Sequence, residues 1–287
     1  MANENKIENE KILIFEPHPD DVAFQISGSV FKWISEGKDL MICTITKGNN
    51  STFDIDVTAA KIEEIMADEH ERALNFIGLD KDHMIQWKYD DLGLDPGRDR
   101  LKLLKDMIWL IRKFKPITVV TLDPKNIENE ENMDHKLVAM TGFEAAAMAA
   151  YPNVFREQFD EEGVDQHFVS RVLFYMSPEP DVFINITGEP LEKKIKLGFI
   201  YDSQLDLMLT ESKERLKSMN VEIPLFNLSK EKIWPGICRE LAAENAKACL
   251  EKYPKNAPIQ HAEAFRLKYL GVLDKVKDLF PKYLNFE

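Results

Sequence analysis

Cysteine is scarce in this chain. Three occur in 287 residues, Cys43, Cys238 and Cys249, and no two form a C-x-x-C pair. A disulfide frame and a cysteine-built zinc cluster are excluded, and a reducing compartment suits the thiols. Basic side chains are also short in supply: 37 Lys and Arg face 50 Asp and Glu, a formal net charge of -13. That excess repels phosphate backbones and anionic lipid heads, so nucleic acid and membrane surfaces are poor general partners. No apolar run reaches the roughly 18 residues that span a bilayer, and the opening MANENKIENEK has no apolar segment of a secretory signal. A cytoplasmic protein is expected. Neither G-x-G-x-x-G nor G-x-x-x-x-G-K-[ST] occurs, which removes two common nucleotide fingerprints. Internal repeats and low-complexity linkers are absent too, so residues 1–287 read as a single domain.

What is present is a core-forming composition, 44% hydrophobic, arranged in alternation. KILIFE (11–16), DLMICTIT (39–46), HMIQW (83–87) and ITVVTL (117–122) read as strands. Between them, 22–37, 58–78 and 99–115 repeat apolar residues at helical spacing, the first closed by Gly37. Strand–helix alternation predicts a Rossmann-like α/β fold: a mostly parallel sheet with helices on both faces. Beyond it, RVLFYM (171–176) and DVFINIT (181–187) read as strands, about 189–209 as a helix continued by a polar one through Lys217, 220–236 as a Pro- and Gly-containing loop, and 240–253 as a helix. The C-terminal region is divergent in pattern.

Ligands of parallel sheets collect outside the carboxyl ends of the strands. Two loops leave such ends: Glu16-Pro17-His18-Pro19-Asp20-Asp21, and the stretch from Asp123 to Met133-Asp134-His135. Both therefore reach one rim. His18, Asp21 and His135 supply two imidazoles and a carboxylate, the three protein ligands of a catalytic zinc that keeps an open position for water, although the set suits other divalent ions as well. Adjacent Asp20 is then left to act as a general base. Pro19 biases His18 towards extended backbone and stiffens the loop. The same stretch also reads as a turn with an N-cap. Glu69 falls on the apolar face of the 58–78 helix and requires a partner. Asp91, after the third strand, serves either a substrate hydroxyl or its own turn. The acidic run 128–132 reads as a solvated loop. The same ligand types serve non-haem iron oxygenases, which the strand–helix alternation disfavours.

Taken together, ProHisProAspAsp (17–21), ThrLysGly (46–48), GluHisGluArgAlaLeuAsnPheIleGly (69–78), MetAspHis (133–135), PheIleAsnIleThr (183–187), TyrAspSerGlnLeu (201–205) and AlaGluAlaPheArg (262–266) resemble the PIG-L/LmbE-type zinc deacetylases. Those enzymes remove acetyl from N-acetylated amino sugars. The likeness covers most of the chain, with residues of about 206–257 as an insertion or divergent segment. It implies Zn²⁺ held by His18, Asp21 and His135, with metal-activated water attacking the acetamide carbonyl and Asp20 as base. Asp134 becomes an orienting carboxylate, while Lys47 and Asp91 are candidates for contact with a small amino-sugar substrate. Three positions depart from the pattern. Asn132 stands where a His is usual, Val22 or Ala23 where a Glu is common, and Met66 where an Arg is usual. Asn donates a hydrogen bond but is no acid at neutral pH, so His261 is the candidate to supply that proton. The alternative is a catalytically impaired member that still binds metal and sugar. The sequence leaves homo-oligomerisation open.

Overall fold

A computed structural model describes residues 10–254 and 258–280. In chain order its elements are β1 (Lys11–Glu16), α1 (Asp21–Gln25), α2 (Ser27–Ser35), β2 (Asp39–Thr46), α3 (Ala59–Ile77), β3 (Met84–Tyr89), α4 (Arg100–Phe114), β4 (Thr118–Leu122), α5 (Met133–Met148), α6 (Glu157–Asp160), β5 (Arg171–Tyr175), β6 (Val182–Asn185), α7 (Glu189–Gly198), α8 (Asp202–Ser218), α9 (Lys230–Lys252) and β7 (Ala262–Tyr269). The described strands form one sheet of seven, ordered β3-β2-β1-β4-β5-β7-β6. β1 to β5 pair in parallel, with Ile12 opposite both Leu40 and Thr118. Ile12, Leu13, Ile14 and Phe15 are fully buried, as a central strand covered on both faces must be. α4 packs against α5, and α2 against α7, so helices surround the sheet. Among the described residues no helix is long and apolar enough to cross a membrane.

This order positions the site. The chain steps outward from β1 to β2 to β3, then returns to lay β4 on the other side of β1. Loops leaving β1 and β4 thus diverge from neighbouring strands and open a crevice at the switch point.

Three local expectations are corrected. The helix expected over 22–37 is two helices, broken at Ile26 (φ -134°, ψ 10°). Ser27 Oγ bonds back to Ala23 O at 2.7 Å, and the freed amides of Gly28 and Ser29 donate to Glu263 on β7 at 3.1 and 2.7 Å. The helix expected over 189–209 breaks between α7 and α8, where Tyr201 turns inward and is buried. Residues 230–236, expected in a loop, begin α9 with Pro235 inside it. Burial of Ile233 and Trp234, whose indole N–H donates to Ile195 O at 3.0 Å, outweighs the hydrogen bond that Pro235 cannot make. The tail supplies β7, which is antiparallel to both β5 and β6 and inserted between them.

Candidate metal centre

β1 delivers the first ligand loop. His18 N donates to Asp21 Oδ2 at 2.8 Å and Asp21 N to His18 O at 3.3 Å, so the loop folds its carboxylate back towards its own imidazole. Beneath it, Val22 N donates to Glu16 Oε2 at 2.9 Å, and Thr44 Oγ1 lies 2.6 Å from Glu16 Oε1. The Tyr201 hydroxyl donates to Pro19 O, and its oxygen is 2.8 Å from His70 Nδ1. Long-range contacts from α3 and from the turn between α7 and α8 therefore hold the loop.

β4 delivers the second. Asn132 is the N-cap of α5, its side chain accepting from Asp134 N at 2.8 Å, and His135 falls in the first turn. Asp134 is fully buried and accepts from Leu92 N and Leu94 N at 2.7 and 3.1 Å. It thereby fastens the loop after β3 to the start of α5, with Leu92 held at φ 52°, a left-handed conformation.

The two loops meet. His18 Nδ1 is 3.1 Å from His135 Nε2 and 3.3 Å from Asp21 Oδ2, and His135 Nε2 is 3.3 Å from Asp21 Oδ1. Three donors about 2.0–2.1 Å from a tetrahedral cation would be separated by roughly 3.3–3.4 Å. The two imidazoles face different oxygens of Asp21, and one donor atom from each of the three residues lies within 4.8 Å of the others, a grouping that can hold a divalent ion; the imidazole–imidazole–carboxylate chemistry suits zinc among others.

A second group shares His18. Its Nε2 lies 3.1 Å from Asp91 Oδ1 and 3.3 Å from Asp134 Oδ2. These carboxylates are already engaged: Asp134 by two backbone amides, Asp91 Oδ2 by Asn50 N at 3.3 Å. They form the back wall of the His18 ring, the arrangement that orients a metal-ligating imidazole.

The electrostatics follow from the crowding. Burial alone would raise Asp21, but the charge and hydrogen bonding of His135 and His18 hold its carboxyl far below the usual range. Burial alone would lower His18, but hydrogen bonds to Asp134, Asp21 and Asp91 raise it well above. His135 is likewise raised, to about 9, by Asp21 and Glu130 against burial. Asp20 is pushed up to about 7, first by burial and then by Asp21. A cation would take the place of protons that the imidazoles otherwise hold.

For Lys47, His261 and Glu69 the described contacts are with other residues. Lys47 Nζ is 2.8 Å from Asp90 Oδ1 and 3.5 Å from Glu63 Oε2. His261 immediately precedes β7 and is tied by its backbone to Ile186 and Thr187; its buried Nδ1 has no hydrogen-bond partner, and no described contact joins its ring to the cluster. Glu69 finds its partner in α8, accepting from Ser203 N and Ser203 Oγ at 2.9 and 2.6 Å.

The sequence reading missed Glu130. Inside the acidic run expected to be solvated, its Oε2 lies 3.0 Å from His135 Nδ1. Its place two residues before an Asn N-cap was the available signal. Tyr201 stood in a quoted motif without a role, and nothing local marks it as support for a loop so distant in sequence.

Residues 13–146 match the family model described as PIG-L: GlcNAc-PI de-N-acetylase. A diacetylchitobiose deacetylase of Thermococcus kodakarensis is 29% identical over 194 residues, covering 68% of this chain and 70% of that protein. The N,N'-diacetylchitobiose deacetylase of Pyrococcus horikoshii, solved with an inhibitor, superposes with a TM-score of 0.72 at 22% identity, over 90% of this chain and 84% of that one. GalB of Pseudomonas putida, a 4-carboxy-2-hydroxymuconate hydratase, shares the fold with a TM-score of 0.59 at 16% identity, over 92% and 98%. Residues 13–146 thus match a PIG-L domain, and the chain is homologous to diacetylchitobiose deacetylase.

Proposed function

We propose that the protein is a metal-dependent hydrolase that removes acetyl from an N-acetylated amino sugar or a small conjugate of one. A hydratase on the same fold shows that architecture alone does not choose the reaction. One observation carries the reading: the donor atoms of His18, Asp21 and His135 meet at 3.1–3.3 Å, and Asp20 precedes Asp21 in the same loop. The homology to amide-cleaving sugar enzymes supports it.

A divalent ion held by these three residues, zinc or another, supplies Lewis acidity towards the acetamide carbonyl and acidifies water. The chain supplies the rest. Asp20, raised to about 7, is matched to accepting a proton from the attacking water near neutrality and returning it to the departing amine. Asp91 and Asp134 fix the His18 ring. Asn132 has its side-chain oxygen committed to Asp134 N, so its amide N–H₂ is the donor left to meet an oxyanion. That commitment also favours a second reading, a family member that binds metal and sugar but turns over poorly.

Acetate release from N-acetylglucosamine and its glycosidic conjugates separates the two. The hydrolase releases acetate, loses activity to a chelator, and in Asp20→Asn keeps its metal while slowing by about 10²–10⁴-fold. Absence of release across the panel by metal-loaded protein favours the binder. Unchanged metal content in a His18, Asp21 and His135 triple alanine variant would sink both.

A further inference from the structure

The acidic run at 128–132 contains two neighbouring glutamates with opposite environments. The Glu131 side chain is 87% exposed and reaches Arg215 at 3.6 Å. The Glu130 side chain is 13% exposed and turns inward. Its Oε1 accepts from Asn132 N at 2.9 Å, and its Oε2 is 3.0 Å from His135 Nδ1. The opposite ring nitrogen, Nε2, faces His18 and Asp21.

A neutral imidazole carries one proton on two nitrogens, and only the bare nitrogen can bind a cation. With Nδ1–H donating to a carboxylate, the lone pair is left on Nε2, on the cluster side. Rotating the ring by half a turn would break that bond and point carbon towards the cluster. The carboxylate is itself pinned by the amide of the residue that caps α5, so it is set by the same helix start that carries His135. His18 has two carboxylates behind it, whereas Glu130 is the one carboxylate bonded to His135 Nδ1 among the described residues.

We propose that Glu130 is a positioning residue that fixes the tautomer and aim of His135 for a divalent cation. The proposal rests on the metal-centre reading above. It makes an exposed-looking acidic loop part of the centre, and it predicts that metal affinity is more sensitive to Glu130 than to its neighbour.

The test is zinc affinity of the full chain, measured by competition with a chromogenic chelator, together with the visible spectrum of the cobalt-loaded protein. Glu130→Ala is expected to bind zinc 10–100-fold more weakly and to shift the cobalt bands. Glu130→Gln, which keeps size and an acceptor but loses the charge, falls between it and the wild type. Glu131→Gln stays within about twofold of the wild type, as expected for an exposed pair. If the alanine variant does not fold by circular dichroism, the glutamine variant decides. Wild-type affinity and spectrum in the folded Glu130 variants would overturn the proposal and leave the metal centre standing. A wild-type protein that takes up no zinc or cobalt would remove the centre and this role with it.

Discussion

His70 gives a prediction that can be carried to a number. It lies on α3, 5% exposed, with Nδ1 2.8 Å from Tyr201 Oη and Nε2 3.2 Å from Thr44 Oγ1. Burial pushes its pKa down to about 4, against about 6.5 in an unfolded chain. The folded value is the lower one, so the unfolded chain binds the extra proton between these limits. Stability from this site is complete above about pH 6.5 and is lost as pH falls towards 4. The full loss is about 3 kcal/mol, and about 2 kcal/mol of it appears between pH 7 and 5. At about 2–4 °C per kcal/mol, the melting temperature should drop by about 4–8 °C over that interval from His70 alone. Other groups titrate too, His167 among them, whose pKa burial also lowers. The informative quantity is therefore the difference in slope between wild type and His70→Gln, both melted with excess chelator so that acid release of metal does not contribute. The variant starts lower, having lost part of the support under Tyr201, but its melting temperature should fall less steeply with acid. Parallel slopes would refute the claim that His70 is buried neutral.

Two further substitutions test other parts of the account. Asn132→His should raise acetate release if the cap position also lacks an acid, by up to the 10²-fold or more that a general acid supplies; an unchanged or lower rate in the metal-loaded variant shows that another group already serves. Gly198→Ala would drive a methyl into the buried Trp234 indole that closes α7 against α9; a urea midpoint shift equivalent to about 1–3 kcal/mol is expected, and an unshifted midpoint would mean that this packing is looser than described.

How much of this could be read in advance depended on how far the cause lay along the chain. β1, β2 and β4 are short apolar runs buried on both sides, a condition written into the strand itself. The meeting of the His18 and His135 loops follows from two strand ends on one rim, which needs only the alternation of elements. The breaks at Ile26 and Tyr201 do not follow from local pattern. Glu263, distant in sequence, accepts the amides that open α2, and Pro19 accepts the hydroxyl of Tyr201. Pro235 misled for the same reason: the burial that keeps it in a helix comes from α7. Glu130 was hidden by its neighbours, because charge density in a run says nothing about which carboxylate turns inward.

The insertion of β7 between β5 and β6 has a consequence for how the molecule is made. β6 ends at Asn185, and β7 is its neighbour in the described sheet, beginning only at Ala262. During synthesis the strands carrying the metal ligands leave the ribosome early, while β5 shows a bare edge and β6 has nothing to pair with. At about 5–20 residues per second that interval lasts on the order of seconds. A nascent chain stalled before Ala262 would hold the ligand rim next to an open seam, the natural place for a chaperone to bind or for two unfinished copies to stick together.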